Sequence, residues 1–150
     1  MPGSDELKET LSGIFDAQIP NHGDYNLVLA SARPGLRAAA LGRPPRCYVL
    51  GYRWRPHELV IAPVDAASLT AGSTPVTINM TNLSHAVRRA ERHAADKGWA
   101  EKEYEVGNTT GRIFRFGVAA EGLLPGSGSI DQAGDAEDFH NFMASLISMA

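Results

Sequence analysis

The chain reads as an α+β protein, an antiparallel sheet of about six strands with N-terminal, middle and C-terminal helices packed against it. Three observations predict this. Cys47–Trp54 and Leu59–Val64 are apolar, β-branched and aromatic runs that flank the polar segment Arg55-Pro56-His57-Glu58, the pattern of a hairpin. Glu101–Val106 and Arg112–Ala119 flank Gly107-Asn108-Thr109-Thr110-Gly111 in the same way. At the C-terminal end Phe139, Phe142, Met143, Leu146 and Ile147 follow i, i+3, i+4, i+7, i+8, the spacing of one helix face.

The elements follow in order. Leu7, Leu11, Ile14 and Phe15 recur at helical spacing. Ser4 suits an N-cap, Asp5 and Glu6 suit the first turn, and Pro20 and Gly23 suit the stop. This predicts a first helix over about Asp5 to Ala17. Tyr25 to Ser31 reads as a strand. The segment 33–46, with Pro34-Gly35 and Gly42-Arg43-Pro44-Pro45, is an Arg-rich loop. The hairpin after it is expected at the centre of the sheet. Its second run is apolar on both faces, as in a strand covered on both sides. Val76, Ile78 and Met80 alternate with Thr77, Asn79 and Thr81, which predicts a half-buried strand. Leu83, Val87, Ala90 and Ala94 share a helical face, so a second helix is expected from about Asn82 to Lys97. Segment 122–134 is a flexible loop by composition. Asp135 is positioned to cap the last helix.

At 150 residues the chain is one domain's worth, read as a single unit over 1–150. A chain of this length buries roughly 70% of its unfolded surface and needs no staples. Its only cysteine is Cys47, so an internal disulfide is excluded. The first residues carry no basic segment followed by an apolar core, and no apolar run has the length of a membrane span. These features predict a cytoplasmic protein with no membrane association.

Charge is distributed unevenly. From Tyr25 to His57 there is no acidic residue, yet the window holds Arg33, Arg37, Arg43, Arg46, Arg53 and Arg55. From Val118 onward there is no Lys or Arg, while Glu121, Asp131, Asp135, Glu137 and Asp138 are present. One reading is internal, with the Arg loop lying over the acidic last helix or solvated. The other is recognition of an anionic group by Arg43, Arg46, Tyr52, Arg53, Trp54, Arg55 and His57. Arg supplies bidentate donors and stacks on planar groups. A net charge of −3 argues against nucleic acid as the partner.

Catalytic and metal motifs are missing from the sequence. His85 and His93, eight residues apart on a helix, would lie ~12 Å apart along its axis, too far to share an ion. His57 and Glu58 form an acid–base pair only if the hairpin tip is enclosed. Cys47 reads as a small buried apolar residue. Gly126-Ser127-Gly128-Ser129 lacks the Lys-Ser/Thr of a phosphate loop. No metal site and no cofactor are expected.

The order of elements resembles the type III secretion chaperone-like fold. The likeness runs through the Leu7–Phe15 helix, the strands in Tyr25–Val64, the Leu83–Lys97 helix, the Glu101–Ala119 hairpin and the Phe139–Ile147 helix. The segment 33–46 and the strand near Val76 depart from it. The resemblance implies a small, usually dimeric protein that holds partner segments without catalysis. The expectation is therefore a non-enzymatic protein-interaction module: a chaperone, adaptor or immunity-type protein, homodimeric, binding another protein through an acidic segment. The alternative is an anion- or phosphate-binding domain or enzyme with a pocket near Tyr52, Trp54 and His57.

Overall fold

The computed structural model describes residues 3–19, 24–32, 41, 46–94 and 99–150, with 90–94 and 99–100 as backbone only. Its elements are α1 (Ser4–Gln18), β1 (Asn26–Ala32), β2 (Arg46–Trp54), β3 (His57–Asp65), β4 (Thr70–Ala71) and β5 (Val76–Asn79). There follow β6 (Leu83–Ala94), β7 (Trp99–Asn108), β8 (Ile113–Ala119), β9 (Glu121–Leu124), β10 (Gly128–Asp131) and α2 (Ala133–Met149). The fold is α+β. Eight strands form one antiparallel sheet in the order β4-β3-β2-β1-β8-β7-β6, with β5 beside β4 on the outer edge of β3. β9 and β10 form a separate hairpin.

Strand alternation sorts the core into two layers. Val28, Ala30, Tyr48, Leu50, Tyr52, Leu59 and Ile61 point to one face, joined there by Tyr104, Val106, Phe114, Phe116 and Val118. This face receives Phe139, Phe142, Met143 and Leu146 of α2. Leu29, Cys47, Val49, Val60, Ala62 and Val64 point to the other face, under Leu7, Leu11 and Phe15 of α1 and Leu124 and Ile130 of the small hairpin. β2 and β3 are thus apolar on both sides because both sides are covered. Phe15 reaches the sheet over Gly51, where a Cβ would come within 2.3 Å of the ring.

The largest departure from the sequence reading is the middle helix. Residues 83–94 are a strand, β6, paired with β7 over its whole length and interrupted by two register shifts. The helical stripe of Leu83 and Val87 is weak, and Val87 is exposed. Against it stands a ten-residue neighbour that offers a continuous ladder, and tertiary pairing overrides a marginal local preference. The strand count rises from six to eight for the same reason, with short β4 added. The expected order of elements is found in α1, β1–β3, the β7–β8 hairpin and α2, and not in the middle segment.

Smaller corrections concern the ends of elements. The β2–β3 hairpin lies to one side of the sheet, and β1 occupies the middle. Segment 122–134 is not a flexible loop, for it holds β9, β10 and the start of α2. Ser4 lies inside α1, and Gly3 is the N-cap. The Ser4 hydroxyl accepts the Asp131 N–H at 2.9 Å and ties α1 to β10. α2 starts before Asp135, with Gln132 as its N-cap. The Arg-rich segment 33–46 lies outside the described residues except for Leu41 and Arg46.

Gln132 holds the two halves of the sheet together. β10 lies on the α1 side and α2 on the opposite side, so the chain passes from face to face between β1 and β8. Those strands pair at Ser31–Gly117 alone. At the next position that faces β8, the Leu29 N–H donates to Oε1 of Gln132 at 2.8 Å, and Nε2 donates to the Leu29 and Ala119 carbonyls at 2.9 Å each. Gln132 is 2% exposed. Its carboxamide supplies the hydrogen bonds that the separated strands cannot make to each other. Gln132→Leu would strand three buried main-chain groups at ~1–3 kcal/mol each. The expected outcome is a loss of roughly 3 kcal/mol or more, read as a lower urea midpoint at unchanged m value.

Candidate functional site

Of the seven residues singled out by charge and aromaticity, the six described ones do not form one cluster. Tyr52 is fully buried against Phe139 and Phe142, at ring separations of 5.2 and 5.1 Å. Its hydroxyl donates to Oδ2 of Asp138 at 2.7 Å. Burial and that carboxylate push its ionisation above the ordinary tyrosine range. Trp54 packs edge-on to Phe142 at 5.6 Å, and His57 stacks on the same ring at 5.7 Å. His57 Nε2 lies 3.0 Å from the Ser145 hydroxyl. These three aromatic groups seat α2. Tyr104 adds a further polar clip, its hydroxyl 2.7 Å from Nδ1 of His140.

Arg53 lies on the opposite face, as alternation requires. Its Nη2 donates to Oε2 of Glu58 at 3.1 Å, and its guanidinium sits 5.2 Å from the centre of the Tyr25 ring. The Tyr25 hydroxyl donates to the other Glu58 oxygen. Burial, then this carboxylate, push the Tyr25 phenol up to about 12. Glu58 is thus committed to Arg53 and Tyr25, and strand alternation keeps it away from His57. Arg55 is exposed in the β2–β3 turn, and Arg46 is exposed at the far end of β2, about 30 Å away along the strand. Arg43 lies outside the described residues.

A different charged surface emerges on β6–β8. α2 covers one face of the sheet across its width. On the other face α1 and the β9–β10 hairpin cover β1–β3, and among the described residues nothing packs over β6–β8. This open half-face carries Glu101, Glu103 and Glu105 from β7, Arg115 and Ile113 from β8, and His85, Val87 and Arg89 from β6. Val87 is 44% exposed and Ile113 55%. A hollow of about 180 Å3 lies along it beside Glu103 and Arg115, and one of about 50 Å3 lies at its border with β1 and β9, beside Glu101 and Glu121.

Glu105 is the hub of this surface. One oxygen accepts from Arg115 Nε at 2.6 Å and Arg89 Nη1 at 2.9 Å, and the other is 3.0 Å from His85 Nε2. His85 lies flat over Gly107, where a Cβ would come within 2.3 Å of the ring. Two guanidiniums converging on one carboxylate leave donors unspent, since each guanidinium carries five. The charge map could not reveal this group, because Arg89, Glu105 and Arg115 lie far apart in sequence and a helix was expected at 83–97. The usable signal was the β7 alternation, which places Glu101, Glu103 and Glu105 on one face.

Among the described residues no group of three or more His, Cys, Asp or Glu is arranged to hold a metal ion, and no helix is long and apolar enough to cross a membrane. No protein family, curated protein or solved structure matches the chain.

The Glu105 network makes stability depend on pH. Arg115 above all, then His85 and Arg89, hold the Glu105 carboxyl at about 2 against an ordinary 4.5. A lowered folded-state value means the stabilisation is present above the unfolded value and is lost as pH falls through the folded one. In urea titrations across pH, the difference between the wild type and Glu105→Gln is expected to be level above about 4.5 and to vanish near 2.

Proposed function

We propose that the chain is a non-enzymatic protein-interaction module, a small cytoplasmic chaperone, adaptor or immunity-type protein, whose partner docks on the open half-face of β6–β8. One observation carries this reading. Among the described residues, three of the four half-faces of the sheet are covered by other elements of the chain, and the fourth combines exposed apolar side chains with fixed charge. Arg89 and Arg115 are held in place by Glu105 before any partner arrives, which lowers the ordering cost of binding. Their remaining donors suit carboxylates, so the partner presents an acidic segment there. The Arg43–His57 group supports the reading less well, because its aromatic members are spent on seating α2.

Native mass spectrometry of the protein, purified gently from its own source, tests this. A co-purifying protein is expected. It should be lost from the double variant Arg89→Ser, Arg115→Ser and retained by the variant in which Arg43, Arg46, Arg53 and Arg55 are all Ser. The reverse pattern would return the site to the Arg-rich segment. Two copies of the chain with no second protein would make the partner the chain itself. A retained small anion would favour a ligand-binding domain instead.

A further inference from the structure

Beside β1 the sheet presents a second surface, which shares no residue with the open half-face. Leu29 turns both its N–H and its C=O toward the gap, where Gln132 meets them. Main-chain groups repeat their direction every second residue along a strand, so Leu27 turns its own pair toward the same gap one step further out. β8 does not extend to it, because the two strands pair only at Ser31–Gly117. A cleft of about 330 Å3 runs along this stretch. Leu11 of α1 and Ile130 of β10 are buried on its floor. Lys8 and Ser12 stand on the α1 rim, and Asp135, in the first turn of α2, stands on the other.

We propose that this cleft binds an extended polypeptide segment, which adds to β1 at Leu27 as a short strand. A main-chain donor and acceptor facing a cleft are matched by another main chain, whereas apolar walls alone would suit any greasy ligand. The volume falls in the range of ligand clefts, roughly 300–1,000 Å3. Side chains of an added strand alternate between the two faces of the sheet. One residue enters the Leu11–Ile130 floor, and its neighbour comes beside Asp135. The charges therefore fit an apolar residue followed or preceded by a basic one. Lys8 repels a basic residue on its own rim and so assigns the basic position to the Asp135 side.

Selection of a displayed library of random peptides on the full chain tests this. Enriched peptides are expected to share an adjacent apolar–basic pair and to slow hydrogen exchange at the Leu27 amide. They should bind roughly tenfold or more weakly to Leu27→Pro and to Ser12→Trp. Asp135→Lys should reverse the charge preference. Leu27→Pro removes a donor that faces the gap and spares the β1–β2 ladder, which alternation assigns to the even-numbered residues of β1, Val28 and Ala30 among them. Ser12→Trp fills the cleft from α1 and serves if the proline variant fails to fold. No enrichment, or enriched peptides that bind Ser12→Trp as tightly as the wild type, would overturn the proposal. The open half-face is untouched by these variants, so the two sites fail or stand separately.

Discussion

The side-chain amide of Gln132 does for the middle of the sheet what a neighbouring strand does elsewhere. The chain must pass from the α1 side to the α2 side after β10, and it passes between β1 and β8. That passage parts the two strands after a single pairing and leaves main-chain groups with no ladder partner. A carboxamide carries a donor and an acceptor in the same geometry as a peptide group. Gln132 meets Leu29 from both ends and Ala119 from one, and so bridges the parted strands. A buried polar group is tolerated here because every bond it could make to the two strands is made.

The passage also sets how the sheet is covered. α2 emerges on one face and spans both halves, seated by its Phe139–Leu146 stripe and by polar clips to Tyr52, His57 and Tyr104. Among the described residues, the elements on the other face, α1 and the β9–β10 hairpin, lie over β1–β3. β6–β8 therefore keep an ordinary antiparallel arrangement, one apolar face packed and one polar face open. The charges of Arg89, Glu105 and Arg115 sit on that open face, where they organise one another. The cleft at Leu27 lies on the line of the same split. Both surfaces follow from one event in the path of the chain.

How much of this was legible from residues alone varied with the length of the local signal. The last helix and the two hairpins carry strong, uninterrupted patterns, and they form with boundaries close to those expected. The segment 83–94 carries mixed signals. Its small and charged residues satisfy a helical face as well as a strand, and β7 decides between them by offering a ladder. The segment 122–134 misled because Gly and Ser are equally compatible with a tight hairpin. Its Leu124 and Ile130 were the part that mattered, since both are buried under α1. The described members of the Arg and aromatic group do not share one face for a simple reason. Neighbouring residues in a strand point to opposite faces, so Tyr52 and Trp54 go to α2 while Arg53 goes to Glu58 and Tyr25.

By itself the sequence determined the class of the fold, the double-sided burial of β3, and the face that each terminal helix presents. These depend on periodicity, which is a property of neighbours along the chain. Only the tertiary structure decided that 83–94 pairs as a strand, that β1 lies in the middle, and that the chain crosses the sheet at Gln132. It alone gathered Arg89, Glu105 and Arg115 from three strands and left Leu27 facing a cleft. Those outcomes depend on which elements meet across space, and a hydrogen-bond ladder or a buried amide acquires its value only when its partner, distant in sequence, is in place.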